Sequence, residues 1–216
     1  MKTALIIFDL DGTLLNTLDD LADSGNFILR TYGFSEHPVN AYRFFVGDGI
    51  RKLIERIIPE DKRESTFIEE VQQEFMKHYE IHKHDKTAPY PGIIELLKTV
   101  KNRNIKIAIA SNKTHEVIEK MMDFYFRGIQ FDAVFGQRKQ VPPKPNPRIV
   151  IDILHKTGIP KEKTLYVGDT SVDMLTAHNA GLKSIGVLWG FRSKEELLKA
   201  GADCIIEKPE ELLTYC

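Results

Sequence analysis

The stretch Leu5-Ile6-Ile7-Phe8-Asp9-Leu10-Asp11-Gly12-Thr13 sets four large apolar residues directly before two carboxylates and a glycine. A buried apolar run of this kind reads as a central strand of a parallel sheet covered on both faces. Ligands of such sheets bind in the crevice beyond the carboxyl ends of the strands. Asp9 stands at that end. Alternate residues of an extended segment face opposite ways, so Asp9 and Asp11 can lie close together and still address different parts of one bound molecule. Taken alone, Asp-Leu-Asp-Gly also fits an ordinary Asx turn that closes a strand.

Three further clusters repeat the pattern of a strand that ends in polar residues. Ile105-Lys106-Ile107-Ala108-Ile109-Ala110 leads into Ser111-Asn112-Lys113, just before a helix expected to start near Thr114. A helix start there would turn free backbone N–H groups toward an anion. Val141-Pro142-Pro143-Lys144-Pro145-Asn146-Pro147 holds one lysine among prolines, whose fixed φ makes the loop stiff. Thr164-Leu165-Tyr166-Val167 ends in Gly168-Asp169-Thr170-Ser171-Val172-Asp173, where Asp169 is expected to cap a helix and Asp173 to sit in its first turn. Each cluster alone is also an ordinary turn or helix cap. Their order and spacing carry the reading.

Between these clusters, apolar periodicity predicts strands at Thr3–Phe8, Ile105–Ala110, Ala133–Phe135, Thr164–Val167, Ser184–Leu188 and Asp203–Ile206. Helices are expected at Ile93–Val100, Glu116–Phe126, Arg148–Lys156, Val172–Asn179 and Lys194–Lys199, with Gly158, Gly181 and Gly201 as stops. This alternation predicts an α/β fold with a doubly wound parallel sheet. Residues 17–83 show only helical periodicity. One stripe is Leu18, Leu21, Ala22, Ile28, Leu29 and Tyr32, and another is Phe67, Ile68, Val71, Phe75 and Tyr79. Two such stripes facing each other make a small helical lobe, inserted into a core of residues 1–16 and 84–216.

The 216 residues carry 30 basic and 31 acidic side chains, a formal charge of −1, with no basic block. Neither a nucleic acid polymer nor a membrane is expected as partner. Met1-Lys2-Thr3 runs straight into a strand, and Cys204 and Cys216 are too few and too late for a disulfide framework. The expected setting is the cytoplasm, and the expected state a monomer or homodimer.

The set Asp9-Leu-Asp11-Gly-Thr13, Ser111-Asn112, Lys144-Pro and Gly168-Asp169-Thr-Ser-Val-Asp173 resembles the haloacid dehalogenase superfamily of phosphohydrolases over nearly the whole chain. The resemblance implies a Rossmann-like core, with residues 17–83 as the α-helical cap that this superfamily inserts after its first catalytic loop. The dehalogenase branch lacks an acid at the second position. This chain keeps Asp11, so phosphoryl transfer is expected. The turn Gly47-Asp48-Gly49, with Arg43 and Arg51 on either side, resembles the substrate loop of phosphoglycolate phosphatases and marks these five residues as candidates for substrate choice.

The implied chemistry follows from charge. A carboxylate can approach an anionic phosphate ester only if both charges are neutralised, and Mg2+, which prefers hard oxygen ligands, does this. Its expected ligands are Asp9, Asp169 and the backbone carbonyl of Asp11. Asp9 is expected to attack phosphorus. Asp11 is expected to protonate the leaving group and then to activate the hydrolytic water. Thr13, Ser111, Asn112 and Lys144 are expected to hold the phosphoryl oxygens, with Lys144 also counted as catalytic and Asp173 orienting Lys144 or a metal-bound water. A pyrophosphatase, a nucleotidase and β-phosphoglucomutase are the nearer alternatives to a small phosphate ester as substrate. A receiver-like module that carries a phospho-aspartate is the farther one, although receivers are shorter, have no helical insertion and lack the acid at Asp11.

Overall fold

The computed structural model describes residues 2–216; Met1, the first residue of the expected core segment, lies outside them. Along the chain, β1 (Leu5–Phe8) and the two-residue β2 (Leu15–Asn16) lead into α1 (Leu18–Thr31), α2 (Val39–Phe45), α3 (Ile50–Ile57) and α4 (Ser65–His82). After β3 (Ala88–Pro89) come α5 (Ile93–Asn102), β4 (Lys106–Thr114), α6 (His115–Tyr125), β5 (Ala133–Gln137) and α7 (Arg148–Thr157). Then follow β6 (Thr164–Gly168), α8 (Ser171–Ala180), β7 (Lys183–Val187), α9 (Lys194–Lys199) and β8 (Cys204–Ile206), with a 3-10 helix at Pro209–Tyr215 after it. It divides into two compact units, one of residues up to Leu15 together with Pro89–Cys216, the other Asn16–Ala88.

In the first unit six strands form one sheet in the order β5-β4-β1-β6-β7-β8, every neighbouring pair parallel. Counted along the chain, β1, β4 and β5 build outward on one side, and β6, β7 and β8 on the other. The order therefore reverses between β1 and β6, and in sheets of this kind the ligand crevice opens at that reversal. Leu5, Ile6, Ile7 and Phe8 are at most 1% exposed, as expected of a strand covered on both faces. Phe8 pairs with Ile109 on one side and Val167 on the other. The residues after these three strands therefore emerge side by side.

Several boundaries differ from the sequence expectation. β4 continues past Ala110 to Thr114, because its pairing with β5 shifts register there and then resumes. β8 starts at Cys204, since Asp203 instead accepts the Ser184 N–H (2.8 Å) and hydroxyl (2.9 Å). Asp169 does not cap α8. Thr170 takes that place in a reciprocal capping box with Asp173, which leaves the Asp169 carboxylate available to other partners.

The second unit contains four helices rather than two. α1 and α4 carry the expected stripes, with Leu21, Ala22, Ile28, Leu29, Val71, Phe75 and Tyr79 all buried. The short α2 and α3 bury Tyr42 and Leu53, Ile54 and Ile57. Their seven and eight residues are too few for a clear 3.6-residue period to show beside the arginines and glycines between them. Among the described residues, no helix is long and apolar enough to cross a membrane.

Within this unit Gly25 of α1 faces the Tyr42 ring so closely that an added Cβ would stand 2.6 Å from a ring carbon. Alanine is the better helix former by about 1 kcal/mol, but forcing a methyl into packed surroundings costs about 1–3 kcal/mol. Gly25→Ala is therefore expected to lower the urea midpoint. An unchanged or raised midpoint would show that the α1–α2 contact is looser than described.

Candidate active site

Asp9 emerges from β1 with its N–H donated to the Val167 carbonyl (2.9 Å), which fixes it beside the end of β6. The next turn is tight: Leu10 O accepts from the N–H groups of Thr13, Leu14 and Leu15, with Leu10 and Leu14 fully buried as its anchors. Gly12 (φ +84°) completes it, and a Cβ on either Gly12 or Gly190 would overlap the Asp169 side chain. The Trp189 indole donates to Thr13 O (2.9 Å), tying the same turn to the end of β7.

Carboxylate oxygens of Asp9, Asp169 and Asp173 lie within 4.8 Å of one another, all three residues buried. Lys144 is set among them. Its Nζ hydrogen-bonds Asp173 Oδ1 (2.7 Å), Ala110 O (3.0 Å) and the Tyr166 hydroxyl (3.1 Å), which accounts for the three donors of an ammonium. It also stands 3.0 Å from Asp9 Oδ1 as an ion pair. That contact is not aligned as a hydrogen bond, and Asp9 Oδ1 receives none from the described residues. Burial works against the Lys144 charge, but Asp173 and Asp9 outweigh it and hold its proton well above the ordinary lysine range. Burial, then repulsion from Asp173, pushes Asp9 up to about 7. The same causes, with Asp9 repelling as well, raise Asp169 well above the usual carboxylate value.

The remaining polar groups hold this cluster in place. The Thr13 hydroxyl donates to Asp169 Oδ1 (2.9 Å) and the Phe191 N–H to its Oδ2 (2.8 Å). Asn112 grips the backbone of the lysine loop at both polar atoms, donating to Lys144 O (3.2 Å) and accepting from Lys144 N (2.8 Å). Ser111 is buried on β4, its Oγ accepting from Lys113 N (3.3 Å). Asp11 is paired with Lys113, whose Nζ lies 3.0 Å from both of its carboxylate oxygens. Four carboxylates against two ammonium groups leave the cluster formally two positive charges short. An all-oxygen donor set with a buried oxygen lacking a hydrogen bond fits a hard divalent cation.

The sequence motifs assign no role to Lys113 or Tyr166, although each carries a signal. Lys113 shares its strand face with Ser111 by parity. Tyr166 interrupts an apolar strand with a hydroxyl that needs a partner when buried. In the helical unit, Arg43 is exposed and Arg51, also exposed, pairs with Glu55 (3.3 Å) and Glu69 (3.4 Å). The arginine tied to the turn of Gly47, Asp48 and Gly49 is instead Arg56, which binds Asp48 Oδ2 (2.5 Å) and Phe45 O (2.8 Å).

The family model described as haloacid dehalogenase-like hydrolase matches residues 6–187. Phosphoglycolate phosphatase from Aquifex aeolicus is 32% identical, covering 97% of this chain and 94% of that protein. The phosphoglycolate phosphatase of Agrobacterium fabrum is 33% identical over 87% of this chain and 81% of its own. A crystal structure from Lactobacillus delbrueckii subsp. bulgaricus superimposes with a TM-score of 0.93 at 31% identity, covering 98% of this chain and 97% of that one. A match from β1 to the end of β7 shows the family: this chain belongs to the haloacid dehalogenase-like hydrolases.

Proposed function

We propose that this chain is a Mg2+-dependent phosphatase that hydrolyses a small phosphate monoester through an aspartyl phosphate on Asp9. The observation that carries the reading is Asp9 itself, a buried carboxylate at a strand end whose Oδ1 takes no hydrogen bond and stands beside the Lys144 ammonium. Asp9, Asp169 and the backbone carbonyl of Asp11 would hold the cation. It would supply the positive charge that lets a carboxylate approach a phosphate dianion.

In the first step an Asp9 oxygen forms a bond to phosphorus while the ester P–O bond breaks, its electron pair leaving on the ester oxygen. The Asp11 carboxyl gives that oxygen a proton. In the second step Asp11, now a carboxylate, takes a proton from the attacking water, and the bond between phosphorus and Asp9 breaks. Lys144 and Ser111 hold the non-bridging oxygens, where charge spreads in the transition state. Thr13 and Asn112 act one contact further out, through Asp169 and the Lys144 loop. For substrate choice we propose the Gly47–Gly49 turn with Arg43 and Arg51, and add Arg56 because it fixes Asp48.

Relatives named phosphoglycolate phosphatase support 2-phosphoglycolate as the substrate. The test is initial rates on 2-phosphoglycolate, pyrophosphate, nucleoside monophosphates and sugar phosphates with Mg2+. The highest kcat/KM is expected for 2-phosphoglycolate. A clear preference for another ester reassigns the substrate, and no phosphate release from any ester overturns the phosphatase reading.

Chelation with EDTA is expected to abolish turnover and Mg2+ to restore it. Ca2+ should inhibit, since it takes more ligands at longer distances and would hold Asp9 away from phosphorus. A ligand that binds only the folded state stabilises it, by about 2.7 kcal/mol at a hundredfold excess over Kd. Mg2+ should therefore raise Tm saturably in the wild type and not in Asp169→Asn. Full activity in EDTA, or an equal shift in both proteins, contradicts the metal site.

A further inference from the structure

We propose that Lys113 is a positioning residue for Asp11, and that its ammonium, by fixing the Asp11 carboxyl, sets how strongly turnover depends on the leaving group. The inference rests on the acid–base reading of Asp11 given above. Lys113 Nζ is equidistant, at 3.0 Å, from the two Asp11 oxygens. Its side chain is 3% exposed and that of Asp11 15%. A surface pair would do little to orient its members; this one is largely withdrawn from water.

Both ends of the pair are anchored by backbone. Lys113 lies on β4 within the stretch where its register against β5 shifts, its N–H on Ser111 Oγ. A Cβ at Gly136 of β5 would stand 2.5 Å from the Lys113 carbonyl, so the absence of a side chain there lets the two strands close around it. Asp11 is held by a bridge to Leu15 in the turn that follows β1. What the backbone leaves free is the two side chains, and the Lys113–Asp11 pair holds them against each other.

Burying a lysine to make one ion pair brings no dependable gain in stability, because desolvation of the charges offsets their attraction. An apolar residue of similar length would serve packing as well. The pairing instead gives a functional gain where proton transfer demands a defined geometry. As the P–O bond of the ester breaks, the leaving oxygen takes the electron pair from phosphorus and the proton from Asp11. An alkoxide depends on that proton, whereas p-nitrophenolate leaves nearly without it.

The experiment compares kcat/KM for 2-phosphoglycolate and p-nitrophenyl phosphate, with Mg2+, in wild type, Lys113→Met, Lys113→Arg, Asp11→Asn and the double variant Asp11→Asn/Lys113→Met. kcat/KM reports the steps through formation of the aspartyl phosphate. Lys113→Met should lose about 10²-fold on the alkyl ester and far less on the aryl ester. Lys113→Arg, which keeps charge and donors, should recover most of the loss. In the Asp11→Asn background the Lys113 change should add no further contrast between the esters. Equal losses on the two esters in Lys113→Met, or a contrast that persists in the double variant, overturn the inference; equal losses would mark Lys113 as a phosphate-binding or structural residue. If Asp11→Asn itself shows no contrast, it is the acid–base reading of Asp11 that fails. Should Lys113→Met not fold, Lys113→Gln, which keeps one donor without charge, is measured in its place against Lys113→Arg under the same criteria.

Discussion

One buried ammonium holds carboxylates together that would otherwise repel each other. Lys144 Nζ stands 2.7 Å from Asp173 and 3.0 Å from Asp9, and these two side chains, with that of Asp169, are withdrawn from water. Taking an ion out of water costs several kcal/mol, and removing one partner of a buried pair typically costs about 3–5 kcal/mol. The rest of the core is arranged around that demand. Ala110 O and the Tyr166 hydroxyl complete the donors of the lysine, Asn112 fixes its backbone, and Thr13 and Phe191 satisfy Asp169. The four apolar residues of β1, worth roughly 1.5–3 kcal/mol each when fully buried, supply the stability against which this charge cluster is held.

The same constraint explains why the cluster suits catalysis. Two lysines do not balance four carboxylates, which supports the proposed cation and, with it, an anionic substrate. The two lysines are also divided between roles. Lys144 stands between Asp9 and Asp173, whereas the Lys113 ammonium donates to both carboxylate oxygens of Asp11. The proposed nucleophile and the proposed acid–base group are thus held by separate cations, although they stand two residues apart in the chain.

Most of the core was legible in the sequence, because Asp9 and Asp169 directly follow buried strands and buried strands announce themselves as apolar runs. A doubly wound sheet implies a reversal of strand order, but that it falls between β1 and β6 and so brings Asp9 beside Asp169 is seen only in the structure. What stayed hidden was pairing. Nothing in local pattern says that Lys113 meets Asp11 across a separation of 102 residues, or that the Asn112 amide serves the Lys144 backbone instead of pointing at a ligand. Capping was misread at Asp169 because Asp and Thr are both good caps, and the site takes the aspartate. In the helical unit α2 and α3 are too short to show a period, and Arg56 stands farther from the glycines in sequence than Arg43 or Arg51, about two turns of helix beyond the Asp48 it binds.

The central claim is that Asp9 becomes covalently phosphorylated, and trapping that species tests it most directly. The enzyme, mixed with radiolabelled substrate and Mg2+ and quenched in acid within a turnover, should carry label that hydroxylamine releases, as expected of an acyl phosphate. Peptide mapping should place the label on the segment containing Asp9, and Asp9→Asn should carry none. Steady turnover with no trapped label, or label that persists in Asp9→Asn, would contradict the account.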